Sequence, residues 1–373
     1  MFFKKEQATM ERTGVTKEAV LDALRQIIDP DLHRDVVSLG MIKQLEITPK
    51  PEGSRVGFTF ELTTPACPVR DQFKSQAESV VKALPGVGDV EVAMSANVRQ
   101  SAPGGRTGQI ELPNVRNVIA VGSGKGGVGK STVAVNLAVA LAGTGARVGL
   151  LDADVYGPSV PSLMGVHEGI RAEDKRLIPN ESHGIKLMSL GFMNTDGKPI
   201  IWRGPMVGQA VKQMLGDVDW GELDYLLVDL PPGTGDASLT LIQSIPLSGI
   251  VVVTTPQDVA LGIATKALAM FRQLNVPVLG IVENMSGFTC PNCGHESHVF
   301  SHGGGAQTAE NLKVPFLGAI PLDESIRISG DEGHPVAVRD PGGDRAQAFD
   351  QLARKMAAQV SIRNSRTIPL VVR

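Results

Sequence analysis

Aromatic residues are scarce in this chain. Two tryptophans and two tyrosines stand among 373 residues, and Phe, Trp and Tyr together make up 4%. Base-stacking platforms need such rings, and a coating of nucleic acid needs positive charge, yet the formal net charge is −3. No specific nucleic-acid partner is expected. Long apolar runs are missing as well. The longest nearly apolar stretch, residues 133–142, contains Asn136 and is too short to span a bilayer. Met1-Phe2-Phe3-Lys4-Lys5-Glu6 has neither the apolar core nor the cleavage site of a secretion signal. A cytoplasmic protein with no stable membrane anchoring is therefore expected. Cysteine is rare too. Of three cysteines, two stand at CxxC spacing, which suits a reducing compartment where thiols bind metal or do redox chemistry. What remains is an ordinary globular composition, 42% hydrophobic and 20% charged, long enough for two domains and without internal repeats.

The most informative stretch is Gly122-Ser123-Gly124-Lys125-Gly126-Gly127-Val128-Gly129-Lys130-Ser131-Thr132. It lies between an apolar strand-like run, 118–121, and a helix-like run. Gly124-x-x-x-x-Gly129-Lys130-Ser131 satisfies the whole phosphate-loop pattern. Glycines leave backbone N–H groups free to wrap phosphate oxygens, and the following helix N-terminus adds partial positive charge. Lys130 can reach the β- and γ-phosphates, and the Ser131 hydroxyl can bind Mg²⁺. The shorter pattern Gly122-x-Gly124-x-x-Gly127 also matches a dinucleotide fingerprint, with Asp152 near the place of a ribose-binding acid. That reading leaves Lys130 and Ser131 without a task, so ATP is the expected ligand.

Two further segments end strands on acids. Tyr225-Leu226-Leu227-Val228-Asp229 has the Walker B form, and Asp229 would hold Mg²⁺ through water. It runs on into Leu230-Pro231-Pro232-Gly233-Thr234-Gly235-Asp236, where Gly233 could present its N–H to a γ-phosphate. The other is Leu150-Leu151-Asp152-Ala153-Asp154-Val155-Tyr156-Gly157-Pro158-Ser159. A single acid could merely cap the next helix. Asp152, Asp154 and Asp229 on one sheet edge point instead to a shared site.

The chain reads as two parts. Residues 14–98 form a small α+β module. Thr16 caps a helix bearing the stripe Val20, Leu21, Leu24, Ile27 and Ile28. Strands follow at 42–47 and 55–62, then a helix at 69–83 and a strand at 89–94. Residues 99–113 are polar and glycine-rich, a flexible linker. Residues 114–362 form an α/β domain with strands at 118–121, 148–151, 225–230, 250–254, 278–282 and 316–320. Their continuous apolar character suits a mostly parallel sheet covered by helices on both faces. Helices are expected at 130–142, 260–274 and 344–360. In the last, Phe349, Leu352, Met356 and Val360 form a core stripe rather than a membrane anchor. Residues 363–373 read as a loose tail.

Cys290-Pro291-Asn292-Cys293-Gly294-His295 supplies a second chemistry. A CxxC turn offers two thiolates to one face of a metal: half a zinc knuckle, an iron–sulfur ligand pair or a redox dithiol. Two-fold pairing of chains would gather four thiolates, enough for one 4Fe–4S cluster or one zinc ion. His295, His298 and His302 could instead complete a mononuclear zinc site within one chain.

Several motifs resemble known families. Lys125, the second lysine of Lys125-Gly126-Gly127-Val128-Gly129-Lys130-Ser131, resembles the deviant Walker A ATPases, the class of MinD, ParA and the nitrogenase iron protein. That resemblance implies a homodimer in which Lys125 reaches the partner's nucleotide. It also implies that Asp154 positions the attacking water, with Asp152 nearer Mg²⁺. Asp29-Pro30-Asp31, Val37-Ser38-Leu39-Gly40 and Thr63-Thr64-Pro65-Ala66-Cys67-Pro68 resemble the MIP18 (DUF59) family, whose members take part in iron–sulfur assembly. Taken with Cys290-Pro291-Asn292-Cys293, the nucleotide-site motifs resemble the Mrp/ApbC family of iron–sulfur carrier ATPases over nearly the whole chain. The resemblance implies a cluster held at a dimer interface by Cys290 and Cys293 and delivered to apo iron–sulfur proteins, with ATP gating the process. It places Asn284 and the Ile320-Pro321-Leu322-Asp323 loop at the adenine. The alternatives from the residues are a MinD/ParA-like positioning ATPase, which needs no CxxC, and a zinc-stapled dimeric NTPase.

Overall fold

The computed structural model describes residues 15–101, 109–155, 157–193 and 204–367. Tyr156, residues 102–108 of the linker and 368–373 of the tail lie outside the described residues. By its contacts the chain divides into two compact units.

The first unit holds α1 (Lys17–Leu24), the short pair β1 (Ile28–Asp29) and β2 (Arg34–Asp35), then β3 (Ile42–Thr48), β4 (Ser54–Leu62), α2 (Arg70–Lys82) and β5 (Val87–Ala96). Thr16 caps α1 through the Ala19 N–H. Strand β4 alternates buried and more open positions, which turns Val56, Phe58, Phe60 and Leu62 to one face. Phe60 stacks there on Phe73 of α2, centroids 5.3 Å apart. The helix stripe is shorter than the sequence suggests. α1 stops at Leu24, and Ile28 is exposed on β1.

The second unit is built on a nine-stranded sheet ordered β10-β11-β7-β12-β6-β13-β14-β15, with β16 also pairing β14. Its strands are β6 (Val118–Ser123), β7 (Val148–Asp152), β10 (Asn180–Ser182), β11 (Ile185–Ser189), β12 (Tyr225–Asp229), β13 (Gly249–Thr254), β14 (Val278–Thr289), β15 (Glu296–Ser297) and β16 (Phe316–Leu322). A separate ribbon pairs β8 (Arg171–Glu173) with β9 (Arg176–Ile178). The helices are α3 (Lys130–Gly143), α4 (Val160–Leu163), α5 (Gly204–Gly216), α6 (Asp236–Ser244), α7 (Asp258–Gln273), α8 (Gly304–Leu312), α9 (Glu324–Asp331), α10 (Val336–Arg339) and α11 (Asp344–Thr367). Every residue of β6, β7, β12 and β13 is buried. Successive side chains of a strand point to opposite faces, so both faces of the sheet are covered. Pairing is parallel from β11 through to β16, and β10 and β15 add antiparallel edges. The expected α/β fold with a preceding α+β module is therefore the fold observed.

Four features depart from the sequence reading. The expected strand at 278–282 runs on to Thr289, because polar residues 283–287 lie at the sheet's functional end rather than in a loop. Helix α11 continues through Arg363 to Thr367. Asn364 is buried and donates to the Arg99 carbonyl and to Asn117 Oδ1, so 363–367 are not loose. The described linker flanks are anchored as well. Ser101 bonds to Asn117, Ser248 and Asn364, and Ile110 to the Ser244 carbonyl. Finally, Thr64–Pro68, which carries Cys67, groups with the second unit. There Thr64 accepts the Tyr225 hydroxyl at 2.9 Å, and the Cys67 carbonyl accepts from Arg354 at 3.4 Å.

Candidate functional site

Strand β6 delivers the phosphate loop, and α3 begins at Lys130 directly after it. Gly129 takes φ 77°, and a Cβ there would stand 2.2 Å from Asn284 Nδ2. Only glycine meets both conditions. Gly126 and Gly127 are exposed at the loop tip, next to the buried Val128. The loop is braced by Ser123 Oγ, which donates to the Lys125 carbonyl at 2.9 Å. Lys125 Nζ lies 3.2 Å from Gln257 Oε1 of its own chain. Gln257 carries no motif signal in the sequence.

Register brings the acids together. Asp229 is the Cα partner of Asp152 on β7 and of Val121 on β6. Lys130 Nζ lies 2.5 Å from Asp229 Oδ1 and 3.7 Å from Asp154 Oδ2. The Ser131 hydroxyl donates to the other Asp229 oxygen. Asp152 accepts from the Asp154 N–H at 3.1 Å, the Val160 N–H at 3.2 Å and Ser189 Oγ at 3.0 Å. It therefore holds the start of the Asp154 loop. Ser189 ends β11, in a stretch with no recognisable motif.

Burial, followed by the Asp229 charge, pushes Asp152 up to about 7. Burial also pushes Asp229 upward against the pull of Lys130. The Lys130 ammonium thus lies among carboxylates that crowd one another, an arrangement that a divalent cation relieves. Ser131, Asp152 and Asp229 offer hard oxygen donors of the kind Mg²⁺ takes, alongside water and phosphate. Among the described residues no group of three or more His, Cys, Asp or Glu side chains is gathered to hold a metal.

Three expected nucleotide contacts have other partners here. The Gly233 N–H donates to the Ser123 carbonyl at 2.9 Å, the Thr132 carbonyl accepts from Asn136, and Asn284 Nδ2 donates to the Val128 carbonyl at 2.9 Å. Asn284 and Pro321 lie on neighbouring strands, with Asn284 in register with Ile320. Beyond them Asp323 caps α9 and pairs with Arg345 at 2.7 Å.

The cysteines lie on a hairpin. β14 leaves the sheet and turns through Cys290–His295 into β15, pairing Phe288 with Ser297 and Thr289 with Glu296. The Cys290 N–H donates to the His295 carbonyl and the Gly294 N–H to the Cys290 carbonyl, both at 2.9 Å. Cys293 is exposed and Cys290 half-buried. Backbone N–H groups of Asn292 and Cys293 hold the Cys290 thiol below its ordinary range. The turn thus favours thiolate and presents it outward. His302 bonds to Ser286 and stacks on His298, centroids 5.0 Å apart. The histidines and cysteines form no metal-ready group among the described residues, so the single-chain zinc site has no geometric support.

A parallel sheet with a phosphate loop at its carboxyl edge and a Walker B acid beside it defines a P-loop NTPase, here with a paired-cysteine hairpin. Comparison narrows the class. Residues 114–357 match the NUBPL iron-transfer P-loop NTPases, and residues 17–94 match the iron–sulfur cluster assembly protein family. The chain belongs to the NUBPL iron-transfer P-loop NTPase family, in agreement with its resemblance to the Mrp/ApbC carriers. It is 47% identical over 354 residues to an iron–sulfur cluster carrier protein of Deinococcus radiodurans, covering 94% of this chain and 98% of that one. A carrier protein of Synechocystis is also 47% identical, over 360 residues, covering 93% and 99%. Among solved structures, a nucleotide-binding protein of Archaeoglobus fulgidus in complex with ADP is 42% identical, with a TM-score of 0.56, covering 63% of this chain and 93% of that one.

Proposed function

We propose that this protein carries an iron–sulfur cluster between two of its chains and passes it to apo-proteins under the control of ATP. The observation that carries the reading is the outward-facing Cys290–Cys293 turn on the strand whose Asn284 grips the phosphate loop, in a chain of the iron-transfer NTPase family. Each chain supplies two thiolates, and a homodimer supplies the four that a 4Fe–4S cargo needs. The hairpin's exposure leaves room for a second copy. Cys290 and Cys293 are free thiols, which suits work in a reducing compartment. No described helix is long and apolar enough to cross a membrane.

ATP would sit with its phosphates against residues 124–132. Gly124, Gly126, Gly127, Val128 and Gly129 lend backbone N–H groups, and Lys130 follows the β- and γ-phosphates. Ser131, with Asp152 and Asp229, would hold Mg²⁺, which when bound would neutralise charge on the phosphate oxygens. Asp154 orients the attacking water and receives its proton as the γ-phosphoryl group leaves ADP. Lys130 would exchange its Asp229 contact for phosphate, and Gly233 its Ser123 contact. Lys125, the deviant Walker A lysine, would leave Gln257 for the partner chain's nucleotide. Asn284 and Pro321 border the adenine.

Anaerobic transfer to an apo-acceptor tests the reading. Cys290→Ser and Cys293→Ser should each abolish cluster binding rather than halve it, because two thiolates remain per pair of chains. ATPase activity should partly survive. A double variant that still transferred a full cluster would refute the proposal.

A further inference from the structure

Glu283 is fully buried and has no part in the site described so far. Its carboxylate accepts the Gly303 N–H at 2.9 Å, the Gly305 N–H and the Ser286 hydroxyl. No cation pairs with it among the described residues, and the N-terminus of α8 meets its charge instead. Glu283 and Gly303 are the two roots of one excursion, residues 284–302, which carries both Cys290 and Cys293. The carboxylate therefore ties together the two ends of the segment that carries the cysteine hairpin. A Cβ on Gly305 would come within 2.9 Å of Glu283 Oε2, so the clasp is tight.

The outgoing limb is irregular at this point. β14 runs from Asn284 to Phe288 while β16 advances only from Ile320 to Leu322. Met285 sits in the bulge at φ 59°, a left-handed conformation that a side chain adopts at a cost. Ser286 Oγ reaches from the bulge to Glu283 and, at 2.9 Å, to His302 Nδ1. A hydroxyl has one proton. With that proton on the carboxylate bond, His302 must donate from Nδ1. The outgoing and returning limbs are thus tied through one serine. Asn284, one residue from Glu283, holds the Val128 carbonyl of the phosphate loop, and the Met285 methyl lies beside Gly129.

We propose that Glu283, acting through Ser286, is a positioning residue that couples the state of the phosphate loop to the geometry of the cysteine pair. A shift of the loop on nucleotide binding moves Asn284 and Met285, and the clasp converts that shift into a displacement of the hairpin rather than a slackening of its root. The inference rests on the carrier reading for its purpose but not for its test.

The test is the alkylation rate of Cys290 and Cys293 by iodoacetamide. It is read by mass spectrometry on cluster-free, reduced full-length Cys67→Ser protein, with and without MgADP. The chain concentration is one at which sedimentation gives the same mass in both states. The parent should show a change of about fivefold or more on saturation, the lower range of ordinary site-to-site coupling. Ser286→Ala keeps every charge and should bring the ratio close to one while changing MgADP affinity by less than about threefold. Glu283→Gln sets an amide donor against backbone N–H groups and should do the same. Ser286→Thr, which keeps the hydroxyl, should restore the ratio. Unchanged ratios in Ser286→Ala, or no nucleotide effect in the parent, would overturn the coupling, even if cluster transfer were intact. A clear nucleotide effect in a protein that takes up no cluster would leave the coupling standing and sink the carrier.

Discussion

At the scale of single residues, the site is a contest between buried charges. Lys130 lies against both Asp229 and Asp154, and Asp152 stands in register with Asp229. Lys130→Ala should therefore lose both phosphate binding and turnover. Asp154→Ala should spare MgATP affinity and lower kcat by about 10²-fold or more, the usual scale for a group that assists proton transfer. Single-turnover hydrolysis beside equilibrium binding separates the two, and a parent-like kcat in Asp154→Ala would remove its assigned role. Asp152 makes the pH dependence specific. Its folded value of about 7 lies above the ordinary carboxylate range. The stability it contributes is complete below pH ~4 and is lost as pH rises through ~7, a difference of a few kcal/mol. Without metal or nucleotide, the parent should lose stability relative to Asp152→Asn between those limits in urea titrations. Parallel curves would refute the assignment. The motif acids and lysines were legible because phosphate chemistry demands particular residue types at fixed spacing. Ser189, Gln257 and Glu283 were not, because each acts through a tertiary partner far away in sequence.

At the scale of elements, β14 is the piece that the sequence rendered least faithfully and that matters most. Its polar stretch 283–287 breaks the apolar pattern, so the strand seemed to end before the residues that grip the phosphate loop and the clasp. The central strands were easy for the opposite reason, since burial on both faces leaves an unbroken apolar run. The edge strand β10, its neighbour β11 and the ribbon β8–β9 carry no such run and are not legible in the sequence. The contact between β14 and the phosphate loop can be tested directly. Gly129→Ala would force a side chain into a left-handed conformation and against Asn284 Nδ2. The variant should bind MgADP at least about tenfold more weakly and lose about 1–3 kcal/mol of stability. Calorimetric titration and thermal unfolding read the two effects, and parent-like affinity would mean that the loop packs differently.

At the scale of the molecule, one chain offers two thiolates on an exposed turn and a lysine, Lys125, that bonds to Gln257 of its own chain. Both features make sense in a pair of chains. A chain that paired only to hydrolyse nucleotide would need the lysine but not the cysteines. The carrier reading therefore stands or falls on what two chains hold between them. The most direct measurement is the content of iron, acid-labile sulfide and zinc per chain after anaerobic reconstitution, taken with the mass in solution of the same sample. About two iron and two sulfide per chain are expected in a particle of two chains, with both lost in Cys290→Ser. A particle that holds zinc alone and takes up no iron or sulfide under reducing conditions would contradict it.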